Sequence, residues 1–188
     1  MEKSWTQLEA WCENCQKCNL AKGRNNIVID RGARDASIMF IGEGPGEQED
    51  LQGKPFVGPA GKLLDKMLLA AGFTLDEVYI ANIVKCRPPF NRDPKPEERE
   101  ACINYLRYQT ALIKPKIIVC LGRVAAQTII DENFKITRQR GQWVERKGTK
   151  IVATYHPSAL LRDESKKKPA WEDFKDIYKM YCTLRGEK

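Results

Sequence analysis

The chain alternates between short apolar runs rich in β-branched residues and longer stretches whose apolar positions recur at helical spacing. Four runs, 37–41, 78–84, 116–121 and 150–155, are apolar nearly throughout, as in strands buried on both faces. Between them, 60–71 has helical periodicity and stops at Gly72, while 97–113 opens behind Pro96 with acidic residues in its first turn and ends before Pro115. These are ordinary helix start and stop signals. Segments 123–130 and 171–184 read as two further helices and 5–18 as an amino-terminal one. The order strand, helix, strand predicts an α/β fold, a three-layer α/β/α sandwich around a central four-stranded parallel sheet, because right-handed crossovers place helices on both faces. The least regular stretches are 19–36, 88–95 and 162–169; the last carries Lys166, Lys167 and Lys168 and is expected to be an exposed loop. With no repeat and no linker, residues 1–188 are expected to form one domain.

Charge and composition narrow the classes. Lys and Arg number 32 against 25 Asp and Glu, a net charge of +7 with the single His neutral. That excess favours a polyanionic partner, although solvated lysines alone can produce it. Hydrophobic residues at 42% and charged residues at 30% exclude disordered and collagen-like chains. No apolar run approaches the ~18 residues of a membrane span. The first ten residues carry charges and Trp5 where a signal peptide needs an apolar stretch, so a cytoplasmic, membrane-free protein is expected. Seven cysteines, an odd number without an export signal, argue against a disulfide framework and for thiolate ligation of a metal centre.

In an open α/β sheet, ligands bind beyond the carboxyl ends of the strands, so motifs there carry most weight. The first strand runs into Gly42-Glu43-Gly44-Pro45-Gly46-Glu47-Gln48-Glu49-Asp50, where glycines let the backbone approach a ligand closely. Its spacing fits neither a phosphate loop nor a dinucleotide fingerprint, and four acidic residues would repel a phosphate; a plain strand-to-helix turn is the other reading. Phe56 lies in a Gly- and Pro-rich stretch, a stiff mount from which a ring can stack on a nucleobase or anchor the core. Asn82 sits in an apolar strand, where an amide must find partners; its one acceptor and two donors match the O4 and N3–H edge of uracil, or neighbouring backbone satisfies it. His156, the only His, rules out a multi-histidine metal site; it follows the last strand and leads into Leu160, Leu161 and Arg162. A leucine there can wedge between base steps while Arg162 and the lysine run meet phosphates, or these residues simply pack and are solvated.

Cys15 and Cys18 form a CxxC pair, and Cys86 and Cys102 flank the Pro-rich loop far downstream. Two near and two far thiols suit a [4Fe–4S] cluster or zinc, and spacing does not separate them. Cys12 adds an overlapping CxxC choice, while Cys120 and Cys182 read as apolar fillers.

In this order the segments GEGPGEQED, GKPFVGPAG, NIVKCRPP, NRDP, LGRVAA, RGQW and TYHPSALLR, behind the CxxC region, resemble the family 4 uracil-DNA glycosylases, the iron–sulfur branch of that superfamily. The likeness spans most of the chain. The following Leu20, Gly23 and Arg24 resemble the family's register and select Cys15 and Cys18 over Cys12. The resemblance implies a [4Fe–4S] cluster on Cys15, Cys18, Cys86 and Cys102, with zinc as the alternative occupant. It implies a uracil pocket of Glu43, Gly44, Pro45, Gly46, Phe56, Asn82 and His156, with Phe56 stacking on the flipped base, Asn82 reading its edge and His156 donating to O2. Family 1 carries an Asp at the position of Gly44 to orient water; here Glu43, then Glu47, are the candidates for that role. Leu160, Leu161 and Arg162 are the expected DNA contacts. The implied activity is monofunctional excision of uracil from U·G, U·A or single-stranded DNA by a monomer, with downstream base-excision-repair enzymes taking the abasic product. The branch trapped covalently on uracil DNA uses a His in the loop after the NIVKCRPP-like segment; this chain has PPFNRDPKPEERE there, so covalent capture is not expected.

Overall fold

The computed structural model describes residues 4–186, with strands β1 (Arg31–Gly32), β2 (Ile38–Gly42), β3 (Val78–Asn82), β4 (Ile117–Leu121), β5 (Val144–Arg146) and β6 (Thr149–Thr154). Helices are α1 (Trp5–Glu13), α2 (Glu47–Gln52), α3 (Pro59–Ala71), α4 (Pro96–Ile113), α5 (Arg123–Ile129), α6 (Ile136–Gln139), α7 (Pro157–Arg162) and α8 (Lys167–Arg185). The sheet order is β1-β3-β2-β4-β6-β5. Its four central strands are parallel, as expected, and the short β1 and β5 add antiparallel edges, so the sheet has six strands rather than four. Strands of two and three residues are too short to leave a hydrophobic period in the sequence.

Alternation along β2 divides the core. Ile38 and Phe40 face a cluster with Leu64 and Leu68 from α3, Phe73 just past its end, and Phe174 and Ile177 from α8. Met39 and Ile41 face the other, with Leu8, Tyr105 and Leu106 from α1 and α4. Every residue of β2, β3 and β4 is buried, which is why those runs lacked polar alternation.

Several boundaries differ from the sequence reading by one or two residues, and two differ by more. Helix α1 ends at Glu13 rather than 18, because Asn14 leaves helical geometry and its Nδ2 donates to Ala10 O (3.0 Å). Cys15 and Cys18 thus stand on a turn. The lysine run is not a loop: Asp163 caps a 3-10 turn, Glu164–Lys166, by accepting from Ser165 N (3.1 Å), and α8 begins at Lys167. Pro169 fits there because the first helical turn needs no backbone donor.

Candidate active site

The carboxyl ends of β2, β3 and β6 converge on a cleft of about 710 Å³. It lies where the chain departs to opposite sides of β2, toward β3 on one and β4 on the other, the switch point of a parallel sheet. Glu43, Gly44, Pro45, Gly46 and Glu47 line it, together with Phe56, Asn82 and His156. The first strand tip is held open by Gly42: a Cβ there would lie 2.5 Å from Asn82 Oδ1 and 2.5 Å from the Phe56 ring. That closeness shows how tightly the aromatic and the amide are set together.

Phe56 is buried and adopts φ +56°, a left-handed conformation unfavourable for an aromatic residue. Its carbonyl accepts from Arg31 Nη1 (3.2 Å), and Gly61 lets the loop lie on α3, since a Cβ there would strike Phe56 O at 1.9 Å. Glu49 fastens this loop to the glycine loop, accepting from Gly46 N (3.1 Å), Val57 N (2.9 Å) and Gly58 N (2.7 Å). Asp50 accepts from Asn25 N (2.9 Å) and Asn26 N (3.3 Å). Two of the four acidic residues after β2 are therefore braces. Only the Glu49 half of a capping box is present, because Gly46 has no side chain to accept in return, so the sequence carries no capping-box signal for Glu49.

Asn82 is 1% exposed, and its Oδ1 has no hydrogen-bond partner. A buried acceptor left unmatched costs about 1–3 kcal/mol. Its backbone is well held: Lys85 Nζ, fully buried, donates to Asn82 O (2.8 Å) and to Gln109 Oε1 (2.6 Å), and Gln109 donates onward to Tyr79 OH (2.7 Å). The residue is fixed by its main chain while its side-chain acceptor stays open.

His156 caps α7, with Nδ1 accepting from Ser158 N (3.1 Å) and lying 2.8 Å from Ser158 Oγ. Because the amide can only donate, the proton of the neutral ring sits on Nε2. Surrounding protein disfavours the charged ring and Arg162 adds repulsion of the same sign, pushing its pKa down to about 4. The ring centroid lies 5.5 Å from that of Phe56.

Glu43 is half-buried, and burial raises its carboxyl to about 7, helped by Asp93, which is hydrogen-bonded to it; Arg123 and Arg162 oppose the shift. Asp93 also pairs with Arg123. Neither Asp93 nor Arg123 was singled out from the sequence, since nothing local marks a loop residue that meets a strand tip only in the fold. Glu47 is exposed and lies 3.5 Å from Arg87. Of the three expected DNA contacts, Arg162 lines the cleft and Leu161 is 51% exposed, but Leu160 is 1% exposed and packs inward, which corrects its assignment to the DNA surface. Successive residues on a helix point about 100° apart, so α7 turns Leu160 into the core while Leu161 faces outward.

The distant cysteines also come together. Arg24 Nη1 donates to Cys86 Sγ (3.2 Å) and to Cys15 O (3.2 Å), and Lys85 N donates to Cys102 Sγ (3.3 Å). Cys12, Cys86 and Cys102 belong to one core cluster, with Cys15 and Cys18 packed against it; Cys120, fully buried in β4, is part of the same cluster. Burial pushes the thiols of Cys12, Cys86 and Cys102 upward, that of Cys102 to about 11. Among the described residues no group of three or more His, Cys, Asp or Glu is set to hold a single metal ion as it stands. The donor set nonetheless fits a four-thiolate group: several buried sulfurs, with the Arg24 guanidinium donating to Cys86 and the Lys85 main-chain N–H to Cys102. Among the described residues no helix is long and apolar enough to cross a membrane.

A cleft at the switch point of a parallel sheet, with a ring, an unpaired buried amide oxygen and a neutral imidazole on its walls, defines an α/β protein built for a flat, hydrogen-bonding ligand. The family model of the uracil DNA glycosylase superfamily matches residues 29–175, and the chain belongs to that superfamily, within its type-4 branch. It is 48% identical over 172 residues to the type-4 uracil-DNA glycosylase of Archaeoglobus fulgidus, covering 87% of this chain and 86% of that protein. Identity to the type-4 uracil-DNA glycosylase of Thermotoga maritima is 46% over 155 residues, 81% of each chain. For that of Sulfurisphaera tokodaii it is 47% over 179 residues, 90% of this chain and 81% of the other.

Proposed function

We propose that this chain excises uracil from DNA by hydrolysing the N-glycosidic bond, leaving an abasic site. The open Oδ1 of Asn82, held beside Phe56 and His156 at one cleft, carries this reading. An extruded uracil stacks on Phe56; Asn82 Oδ1 accepts from N3–H, and its Nδ2 donates to O4. His156 Nε2 donates to O2. As the C1′–N1 bond breaks, its electron pair moves into the uracil ring and the sugar becomes oxocarbenium-like, so a donor fixed at O2 stabilises the departing anion. Water then adds to C1′ and gives up a proton, for which Glu43 is the acceptor by its burial and position, ahead of the exposed Glu47. Leu161 and Arg162 meet the surrounding strand. Extrusion costs a few kcal/mol and least where uracil is mispaired or single-stranded, which orders the substrates.

The same reading assigns Cys15, Cys18, Cys86 and Cys102 to a [4Fe–4S] cluster by resemblance to the iron–sulfur branch, with zinc as the alternative occupant. These cysteines would hold the cluster between the amino-terminal turn, the segment after β3 and α4; the excision steps run through the chain's own side chains.

The direct test is excision from U·G, U·A and single-stranded oligonucleotides followed by alkaline cleavage. Strand scission only at uracil supports the reading; tight binding of uracil DNA without an abasic product rejects it for a non-catalytic binder. Asn82→Ala should lower kcat/KM by about 10- to 100-fold, the value of one bidentate base contact. It should not lower Tm, because it removes an acceptor that has no partner in the free protein. A drop in Tm with full excision would make Asn82 a structural amide.

The pH profile follows from the two perturbed groups. Glu43, raised to about 7, is protonated below that pH and accepts a proton only above it, whereas His156, near 4, stays neutral throughout. The value of kcat/KM should therefore climb as pH rises through 7, with about 30-fold between roughly pH 5.5 and 8. Glu43→Gln should be slow at every pH, with that limb gone. An unchanged limb in the Gln variant would remove Glu43 from the reaction.

A further inference from the structure

Phe90 is 98% exposed, whereas the next most open of the large apolar residues, Leu51, is 56% exposed. It occupies the short turn Pro89–Asn91 after β3, and both Phe90 (φ +56°) and Asn91 (φ +54°) are left-handed. Asparagine tolerates that region; phenylalanine does not do so readily. The strain is held by a stiff frame. Asn91 N donates to Pro88 O (3.0 Å), Arg92 N to Pro89 O (3.2 Å) and Arg87 Nε to Asn91 Oδ1 (2.8 Å). Pro88, Pro89 and Pro94 restrict the backbone further, and Arg92 is locked to Glu98 by two bonds of 2.7 and 2.8 Å. An aromatic side chain is thus held out in water by a rigid loop, so little conformational freedom is lost when it meets a partner.

Its place identifies the partner. Pro88 lines both the main cleft and a neighbouring hollow of about 290 Å³ that includes Phe90, and Asn91, Arg92 and Asp93 continue along the cleft wall. Phe90 thus sits one residue from the wall of the cleft to which α7 contributes Arg162, in a chain of net charge +7. A flat ring at the mouth of a base-extrusion cleft faces unstacked bases, and every base offers a π-face whatever its sequence.

Resting on the uracil-excision reading, we propose that Phe90 is a second aromatic contact to DNA, stacking on a base adjacent to the extruded nucleotide. Phe56 holds the target base inside the cleft, and Phe90 holds a neighbour outside it. The contact favours single-stranded or distorted DNA, where such a base is free to turn.

The test uses the full chain and oligonucleotides carrying 2′-fluoro-2′-deoxyuridine, which resists cleavage, beside a fluorescent 2-aminopurine, together with steady-state excision from natural uracil DNA. Phe90→Ala should raise KM about 5- to 100-fold, with most of the loss in KM rather than kcat, and abolish the wild-type change in 2-aminopurine fluorescence. Phe90→Trp should restore both, and Phe90→Leu neither, because stacking rather than apolarity is required. Tm should be the same in all three, since the ring packs on nothing in the free protein. Wild-type KM and fluorescence in Phe90→Ala, with uracil still excised, would overturn the Phe90 contact alone. Absence of excision in the wild type would instead overturn the reading on which it rests.

Discussion

His156→Ala is expected to slow uracil release by about 10²- to 10³-fold, the loss found when a single donor is removed from a developing oxyanion. The expectation rests on the tautomer. Ser158 N–H occupies Nδ1, so the neutral ring has its one donor at Nε2 and cannot offer it elsewhere without breaking the cap of α7. The depressed pKa keeps the ring neutral at working pH, which suits a hydrogen-bond donor to an anion rather than a full proton donor. Alanine retains the Cβ that packs against Gly122, where an added Cβ would come within 2.8 Å, so the strand end is preserved. The lost cap costs about 0.5–2 kcal/mol, and Tm at this chain length should fall by a few degrees, at about 2–4 °C per kcal/mol. His156→Asn separates the two effects, because asparagine can still cap Ser158 N while lacking Nε2. Single-turnover excision should collapse in both variants, with Tm recovering in the second. If His156→Asn excises uracil at the wild-type rate, the imidazole has no part in leaving-group stabilisation.

What was legible in the sequence followed from burial and local geometry. Strands β2, β3 and β4 announced themselves because both faces are covered, and Asn82 stood out as an amide in such a run. Helix α3 was readable from its periodicity and Gly72, whose φ of +112° needs glycine. Helix α1 was overextended because apolar cysteines continue its pattern past Asn14, and the cap there acts through a bond to Ala10 O. Leu160 and Leu161 look alike on paper, and only the rotation of α7 sends one inward. The site was legible where a residue's role is announced by its neighbours in the chain, as with His156 before Pro157. It was hidden where the partner comes from another element: the hydrogen bond of Asp93 to Glu43, Glu49 spanning two loops, and Lys85 holding the Asn82 carbonyl from beneath. Phe90 was hidden for a different reason, because an exposed aromatic in a Pro-rich loop reads the same as a buried one until its exposure is known.

Cys86→Ser should abolish cluster content and lower Tm by about 10 °C or more, whereas Cys120→Ser should keep the cluster and lose only a few degrees. Both residues are buried, so simple desolvation does not distinguish them. Their neighbours do. Cys120 sits mid-strand among apolar side chains, and a hydroxyl there lacks a partner at a cost of about 1–3 kcal/mol. Cys86 follows Lys85 in the chain, takes a bond from Arg24 (3.2 Å), and lies in the segment that also brings Lys85 N to Cys102. Removing one of four thiolates leaves the Arg24 guanidinium beside an incomplete ligand set. A structural metal centre can supply ~10 kcal/mol or more of folding free energy, so losing it exceeds any single apolar substitution. Iron and sulfide analysis with absorbance near ~400 nm reports the cluster directly and separates it from zinc. Cys12→Ser completes the set: it should retain iron, because the register that includes Leu20, Gly23 and Arg24 leaves Cys12 outside the ligands although it is buried among them. Equal iron in Cys86→Ser and Cys120→Ser would overturn the assignment of Cys86, and loss of iron in Cys12→Ser with retention in Cys15→Ser would move the amino-terminal ligand one CxxC step upstream.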